Sequence, residues 1–233
     1  MVIIKTKKQI IGGALILFLG VSAGVLVKFS PMMDVFSVGK GVKTVVIDAG
    51  HGMPDGGTVG HSGTVEQEIN LKIAKKTQEV LVGKGFLTVM TREEEDSPAK
   101  DDNLSIREIK KRDMRERKEL IKKSDADLFL SIHMNSFPDE RVSGLRLFYS
   151  ANHPGISELA EMIQKSISEI TGAKTYAVKT ADRSLFLMKN PPVPAILIEC
   201  GFLSNPDEEQ KLKKEEYQAE IAWAIADAID EYY

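Results

Sequence analysis

Residues 44–52 read TVVIDAGHG, a β-branched apolar run from Thr44 to Asp48 followed by a histidine, His51, set between glycines. Val and Ile are stiff at χ1 and pack well on a pleated surface. A short apolar run without polar alternation suits a strand buried on both faces. The glycine-rich stretch to Gly63 is a loop. Val65 to Val82 then places Ile69, Ile73, Val80 and Leu81 at helical spacing, and Gly85 stops it. The same alternation continues down the chain. Phe86–Met90 (FLTVM) and Leu128–Ile132 (LFLSI) read as strands, as do Leu145–Tyr149, Ser184–Met188 and Ala195–Glu199. Helices are expected over Ser105–Lys123, Gly155–Ile170 and Glu215–Glu231, with an exposed acidic loop at Glu93–Asp102. Strands alternating with helices predict an α/β fold, a single domain on a twisted, mostly parallel sheet with helices on both faces. Ligand sites in such sheets gather beyond the carboxyl ends of the strands. Groups that carry chemistry are therefore expected just after the strand runs.

Three polar residues stand there. His51 follows the first strand, His133 closes LFLSIHMN, and Glu199 closes the apolar run Ala195–Ile198. Glu66 and Glu68 open the first long helix. Two imidazoles and a carboxylate converging on one point make the ligand set of a catalytic zinc, with the fourth position left for water. Neutral His and ionised Glu suit Zn²⁺ better than Ca²⁺ or Mg²⁺, which prefer oxygen. The pattern alone leaves the choice between Glu66 and Glu68 open. A carboxylate ending an apolar strand, as Glu199 does, is costly unless it is paired or has a task. His61 and His153 lack strand context and read as solvated loop residues. Cys200 is the single cysteine, so no intramolecular disulfide forms, and it reads as a packing residue.

The N-terminus reads differently. Lys5, Lys7 and Lys8 precede an uncharged run from Ile10 to Val27, which Lys28 closes. Eighteen helical residues would span about 27 Å, close to the roughly 30 Å hydrocarbon core. Residues 1–29 are thus expected to be a membrane anchor, its lysines cytoplasmic and the rest of the chain outside. A cleaved signal ending at Val21-Ser22-Ala23 is the rival, disfavoured because the apolar run continues past Ala23. Residues 30–43 read as a linker and 44–233 as the catalytic domain. Removing residues 1–30 takes four lysines and no acid, moving the formal charge from −3 to −7. So acidic a domain is not expected to bind nucleic acid.

Three segments carry a resemblance: IDAGHGMPDGGTVGHSGTVEQEINL from Ile47, DADLFLSIHMNS from Asp125 and PAILIECGFLSNPDEEQKL from Pro194. In this order they resemble the zinc-dependent N-acetylmuramoyl-L-alanine amidases with His, Glu and His ligands. The resemblance runs from about Thr44 to the C-terminus. It implies that His51, Glu66 and His133 bind one zinc ion, that Glu199 is the catalytic carboxylate, and that Glu68 lies outside the ligand set. It implies hydrolysis of the amide between the lactyl group of N-acetylmuramic acid and L-alanine in peptidoglycan. Met53 and Pro54 depart from a frequently glycine-rich stretch, and Gln67 from a frequent lysine. The chain is most similar to the sporulation and germination subtype, which implies a part in spore-cortex modification leading to muramic δ-lactam. It also implies a possible accessory protein. A general autolysin or another zinc hydrolase of the wall, such as a deacetylase, is the alternative reading.

Overall fold

The computed structural model describes residues 41–182 and 184–233. The expected membrane segment and nearly all of the linker lie outside the described residues, and among the described residues no helix is long and apolar enough to cross a membrane. Val42–Tyr233 is one compact unit.

Six strands form one sheet: β1 (Thr44–Ala49), β2 (Leu87–Met90), β3 (Leu128–Asn135), β4 (Arg146–Tyr149), β5 (Lys179–Thr180) and β6 (Ala195–Phe202). Their spatial order is β2-β1-β3-β6-β4-β5. The half β2-β1-β3-β6 is parallel, β4 runs antiparallel to β6, and β5 is parallel to β4. The sheet is thus mixed, parallel through its centre and reversed at one edge. Among the described residues five α-helices accompany it: α1 (Glu66–Gly83), α2 (Ile106–Lys123), α3 (Ile156–Thr171), α4 (Pro206–Leu212) and α5 (Glu215–Tyr232).

Alternation along the strands divides the core in two. Val45, Ile47, Leu128, Leu130, Ile132, Ile196 and Ile198 pack with the apolar stripes of α1, α3 and α5. Val46, Phe129, Ala195 and Leu197 point the other way, toward Ile121 of α2 and Met188. Each such fully buried large side chain contributes about 1.5–3 kcal/mol of hydrophobic stabilisation. The helices do cover both faces, but unequally. The thinner face, under α2, is where polar residues of β1, β3 and β6 find room.

Three expectations need correction. Ser184–Met188 is not a strand but a bend followed by a 3₁₀ turn over Phe186–Met188. The Asp182 carboxylate accepts from the Ser184 backbone N–H and hydroxyl, and this local pairing competes with extension. The central strands run further than their apolar runs, so His133 lies inside β3 rather than after it, and Glu199 lies within β6 rather than at its end. The two residues are register partners, so each meets a polar neighbour across the ladder. Finally, α4 is a helix absent from the sequence reading. It is short, begun by Asn205, whose side chain caps the Glu208 N–H, and by Pro206 in the first turn.

Candidate active site

His51 sits two residues past β1 with φ of 62°, a left-handed conformation that costs a non-glycine residue roughly 1–2 kcal/mol. Two buried arginines hold it there. Arg92, just after β2, donates to the carbonyls of Ala49 (2.9 Å), Gly50 (3.0 Å) and His51 (2.8 Å). Arg117 of α2 donates to the Ala49 carbonyl at 2.8 Å and also to that of His51. Arg117 is itself fixed by Asp48 (2.7 Å) and Asp113 (2.9 Å). Asp48 accepts further from the hydroxyls of Ser131 (2.6 Å) and Thr91 (2.8 Å). Burial pushes the Asp48 carboxyl up, but the Arg117 guanidinium beside it holds it below the ordinary range.

Glu66 is the first residue of α1, with its carboxylate turned back toward β3. The N–H groups of Thr58 (2.9 Å) and Met134 (3.1 Å) donate to it, and the Asn70 amide adds a longer bond of 3.4 Å. Burial opposes its charge, yet the bonds from both histidines win and hold its pKa far below the usual range. His51 presents Nε2 at 3.3 Å and His133 presents Nδ1 at 3.1 Å to the same oxygen, Oε1. One donor atom each from His51, Glu66 and His133 lies within 4.8 Å of the others. Two glycines keep this space clear. A Cβ on Gly50 would stand 2.3 Å from the His133 ring, and one on Gly57 would stand 2.5 Å from the Glu66 carboxylate.

The other nitrogen of His51 is occupied. Asp55 Oδ2 lies 3.0 Å from His51 Nδ1 and 2.8 Å from Lys110 Nζ. Burial would depress the His51 pKa, but its bonds to Asp55 and Glu66 raise it to about 9. A carboxylate fixing one imidazole nitrogen leaves the other directed at a cation, the arrangement common around zinc-ligating histidines. Three converging donors of this type fit a zinc ion with an open fourth position. Glu199 adds an orphan. Its Oε2 is buried with no hydrogen-bond partner, and burial, the dominant influence, lifts its carboxyl to about 7.

The cleft over these groups is closed on its far side by Met114 of α2 and the turn Leu185–Met188. The other singled-out residues are elsewhere. Glu68 lines a surface hollow with Lys72 and Lys213 and does not reach the cluster. His61 is exposed and pairs with Glu140 at 3.2 Å, and His153 Nε2 lies 3.1 Å from the Pro191 carbonyl. Cys200 is buried in the larger core, its thiol pKa pushed upward by burial.

The remainder of the LSNPDEEQKL stretch is structural. Glu208 accepts from the N–H groups of Gly144 (2.9 Å) and Phe202 (2.8 Å). Glu209 accepts from the Ser62 N–H (3.0 Å) and hydroxyl (2.7 Å), fastening the loop that leads into Glu66. Sequence reading missed Asp55, Arg92, Arg117 and these two glutamates. The Asp113–Arg117 spacing of four residues was an available signal for part of this set.

Comparison with known proteins agrees with this geometry. A family model described as N-acetylmuramoyl-L-alanine amidase matches residues 45–231. The germination-specific N-acetylmuramoyl-L-alanine amidase of Bacillus subtilis is 35% identical over 191 residues, covering 82% of this chain and 80% of the relative. The amidase LytC of the same organism is 33% identical over 193 residues, covering 82% of this chain but 36% of its own length. Among solved structures, the CwlD amidase from Clostridioides difficile in complex with the GerS lipoprotein superposes with a TM-score of 0.78 at 37% identity. It covers 82% of this chain and 98% of that one.

Proposed function

The chain belongs to the N-acetylmuramoyl-L-alanine amidase family and is a peptidoglycan amidase, and we propose that it works with one zinc ion held by His51, Glu66 and His133, with Glu199 as general base. The observation that supports this most directly is the convergence of three donor atoms beside an unpartnered, buried carboxylate oxygen. When bound, zinc supplies the Lewis acidity that makes water a nucleophile near neutrality, at about pH 7, and polarises an acyl carbonyl.

The rest belongs to the chain. Glu199, lifted to about 7 by burial, accepts the proton of the attacking water and delivers it to the departing amine of L-alanine. Asp55 keeps the His51 ring oriented through Nδ1, and Arg92 and Arg117 keep its backbone from relaxing out of the left-handed region. The apolar wall of Met114, Leu185 and Leu187 sheds water from around the reacting bond.

The biological setting we propose is spore-cortex modification, in which removing the stem peptide from muramic acid leads to muramic δ-lactam. The 35% identity with a germination-specific amidase supports it. The likeness to a structure solved as a complex with a lipoprotein supports an accessory protein for this chain also. A peptidoglycan substrate and the lysine-flanked run Ile10–Val27 support a place outside the cytoplasmic membrane, with the N-terminus as anchor.

The test is digestion of cortex peptidoglycan with the purified full chain, with zinc and after chelation, read by mass spectrometry. Zinc-dependent release of peptides that begin with L-alanine, leaving intact glycan, is the expected result. Deacetylated glycan with its peptides attached would overturn the amidase reading. Equal action on vegetative wall and cortex would favour a general autolysin.

A further inference from the structure

Arg146 opens β4 directly opposite Glu199 in the antiparallel pair with β6. Glu199 in turn is opposite His133 in the parallel pair with β3. Residues opposed in this way share a face of the sheet. His133, Glu199 and Arg146 therefore form one row across three neighbouring strands, in the order candidate metal ligand, candidate base, cation. Adjacent strands lie about 4.8 Å apart, so the row is short enough for one small substrate to span it.

The guanidinium is held by two aromatic faces, and its field reaches Glu199 on the neighbouring strand without an ion pair forming. Its central carbon stands 4.5 Å from the ring centroid of Tyr176 and 5.3 Å from that of Phe202. Lys174 Nζ approaches the same Tyr176 ring at 5.3 Å. The segment carrying Lys174 and Tyr176 is pinned to the start of β4. Leu145 donates to the Lys174 carbonyl at 2.7 Å, and a Cβ on Gly144 would fall 2.4 Å from that oxygen. Among the described residues no carboxylate forms an ion pair with Arg146, and its Nε is buried without a hydrogen-bond partner. Glu199 Oε2, across the strand, is unpartnered too. A partly buried guanidinium with no carboxylate at ion-pair distance and a buried Nε donor unused is costly unless something else supplies an acceptor.

Resting on the amidase reading, we propose that Arg146, assisted by Lys174, is a substrate-binding residue that receives a carboxylate of the stem peptide on the leaving side of the scissile amide. The order of the row carries the direction. The base must sit beside the departing amine, so the departing peptide continues past Glu199 toward β4. In stem peptides the residue after L-alanine is a γ-linked D-glutamate whose α-carboxyl is either free or amidated. Consecutive α-carbons are about 3.8 Å apart, so that carboxyl lies within about two residue lengths of the scissile nitrogen, within reach of the next strand. A planar guanidinium fork matches a carboxylate and does not match a neutral amide as well. The subsite therefore discriminates a free α-carboxylate from its amide.

The experiment compares two synthetic N-acetylmuramyl dipeptides, L-Ala-D-isoglutamate and L-Ala-D-isoglutamine, with the zinc-loaded full chain. The expected kcat/KM ratio of acid to amide is about 10- to 100-fold, the range of a charge-assisted hydrogen bond. In Arg146→Gln the ratio falls to near one, and in Arg146→Lys it stays between the two. A ratio taken within one protein does not depend on the fraction folded. A second readout uses metal-free protein and equilibrium binding of the two dipeptides, where wild type should prefer the acid and Arg146→Gln should not. Equal handling of both substrates by wild type would overturn the proposal, as would an unchanged ratio in Arg146→Gln. A variant that loses both substrates in equal proportion also overturns it, since Arg146 then acts through Glu199. Preference for the acid in binding, without cleavage of either dipeptide, would sink the amidase reading and leave the subsite standing.

Discussion

Replacing Arg117 by methionine isolates the buried charge cluster under the His51 loop. Methionine keeps much of the apolar stem and removes every donor. Arg117 is 2% exposed and satisfies Asp48, Asp113 and the carbonyls of Ala49 and His51. Asp48 would retain Ser131 and Thr91, but Asp113 would not fare so well, because its Oδ1 already lacks a partner. Breaking a buried pair from one side costs about 3–5 kcal/mol. For a domain of this size that lowers Tm by about 2–4 °C per kcal/mol, or roughly 6–20 °C. Acid should narrow the gap. In wild type the depressed Asp48 pKa contributes stability present above the unfolded value of about 3.9 and lost as pH falls below it. Without Arg117, burial dominates and raises the Asp48 pKa, so the penalty is full at neutral pH and eases as pH falls toward that unfolded value. Urea unfolding followed by circular dichroism, at neutral pH and near pH 5, measures both effects. A variant within about 1 kcal/mol of wild type at neutral pH would refute the reasoning, for surface-like losses are of that size. So would a gap that widened in acid. Asp113→Asn in the Arg117→Met background should recover part of the loss.

Four further outcomes are expected. Glu199→Ala should keep zinc and fold while losing about 10²- to 10⁴-fold in kcat, measured on a soluble muropeptide, and lost zinc would instead make it a ligand. Bound zinc, measured by atomic emission after dialysis, should fall far more in Glu66→Gln and His133→Ala than in Glu68→Gln and His153→Ala; the reverse order would show the ligand set misassigned. Burial opposes the charge of Glu209, but its bonds from Thr64 and Ser62 prevail and lower its pKa to about 2. Its stabilising contribution is then present above the unfolded pKa of about 4.3 and fades as pH drops toward about 2, so acid melts of Glu209→Gln should be flatter there than wild type. Fractionated cells should hold the full chain in membranes, with protease cutting it only from outside, whereas a mature N-terminus at Gly24 would indicate a cleaved signal.

The strands and long helices were legible because their apolar periodicity is set by burial, the same force that decides the fold. Thr44–Asp48 and Ala195–Ile198 could be nothing else in a sheet covered on both faces. Ser184–Met188 misled because its apolar side chains line a cleft while also packing on the smaller core, and alternation cannot tell these apart. His51, Glu66 and His133 were found through their motifs. Their supports were not, because a buried arginine such as Arg117 looks in sequence like its solvated neighbours on a charged helix. Asp48 offered the missed hint, an acid ending an apolar strand. The same cost of burial applies to Asp48 and to Glu199.

The order of strands in space differs from their order along the chain, and this has a temporal side. His51, Glu66 and His133 have all been synthesised by residue 133, whereas β6, which seats Glu199 in the middle of the sheet, arrives some sixty residues later. Until then β3 has no neighbour on that side and presents an unpaired apolar edge, the kind that invites wrong partners. A chain emerging N-terminus first can thus collect the three donors of the proposed zinc site early, but closes its sheet and gains the proposed base, Glu199, in the same late event. On the proposed mechanism, hydrolytic competence and protection from aggregation are acquired together.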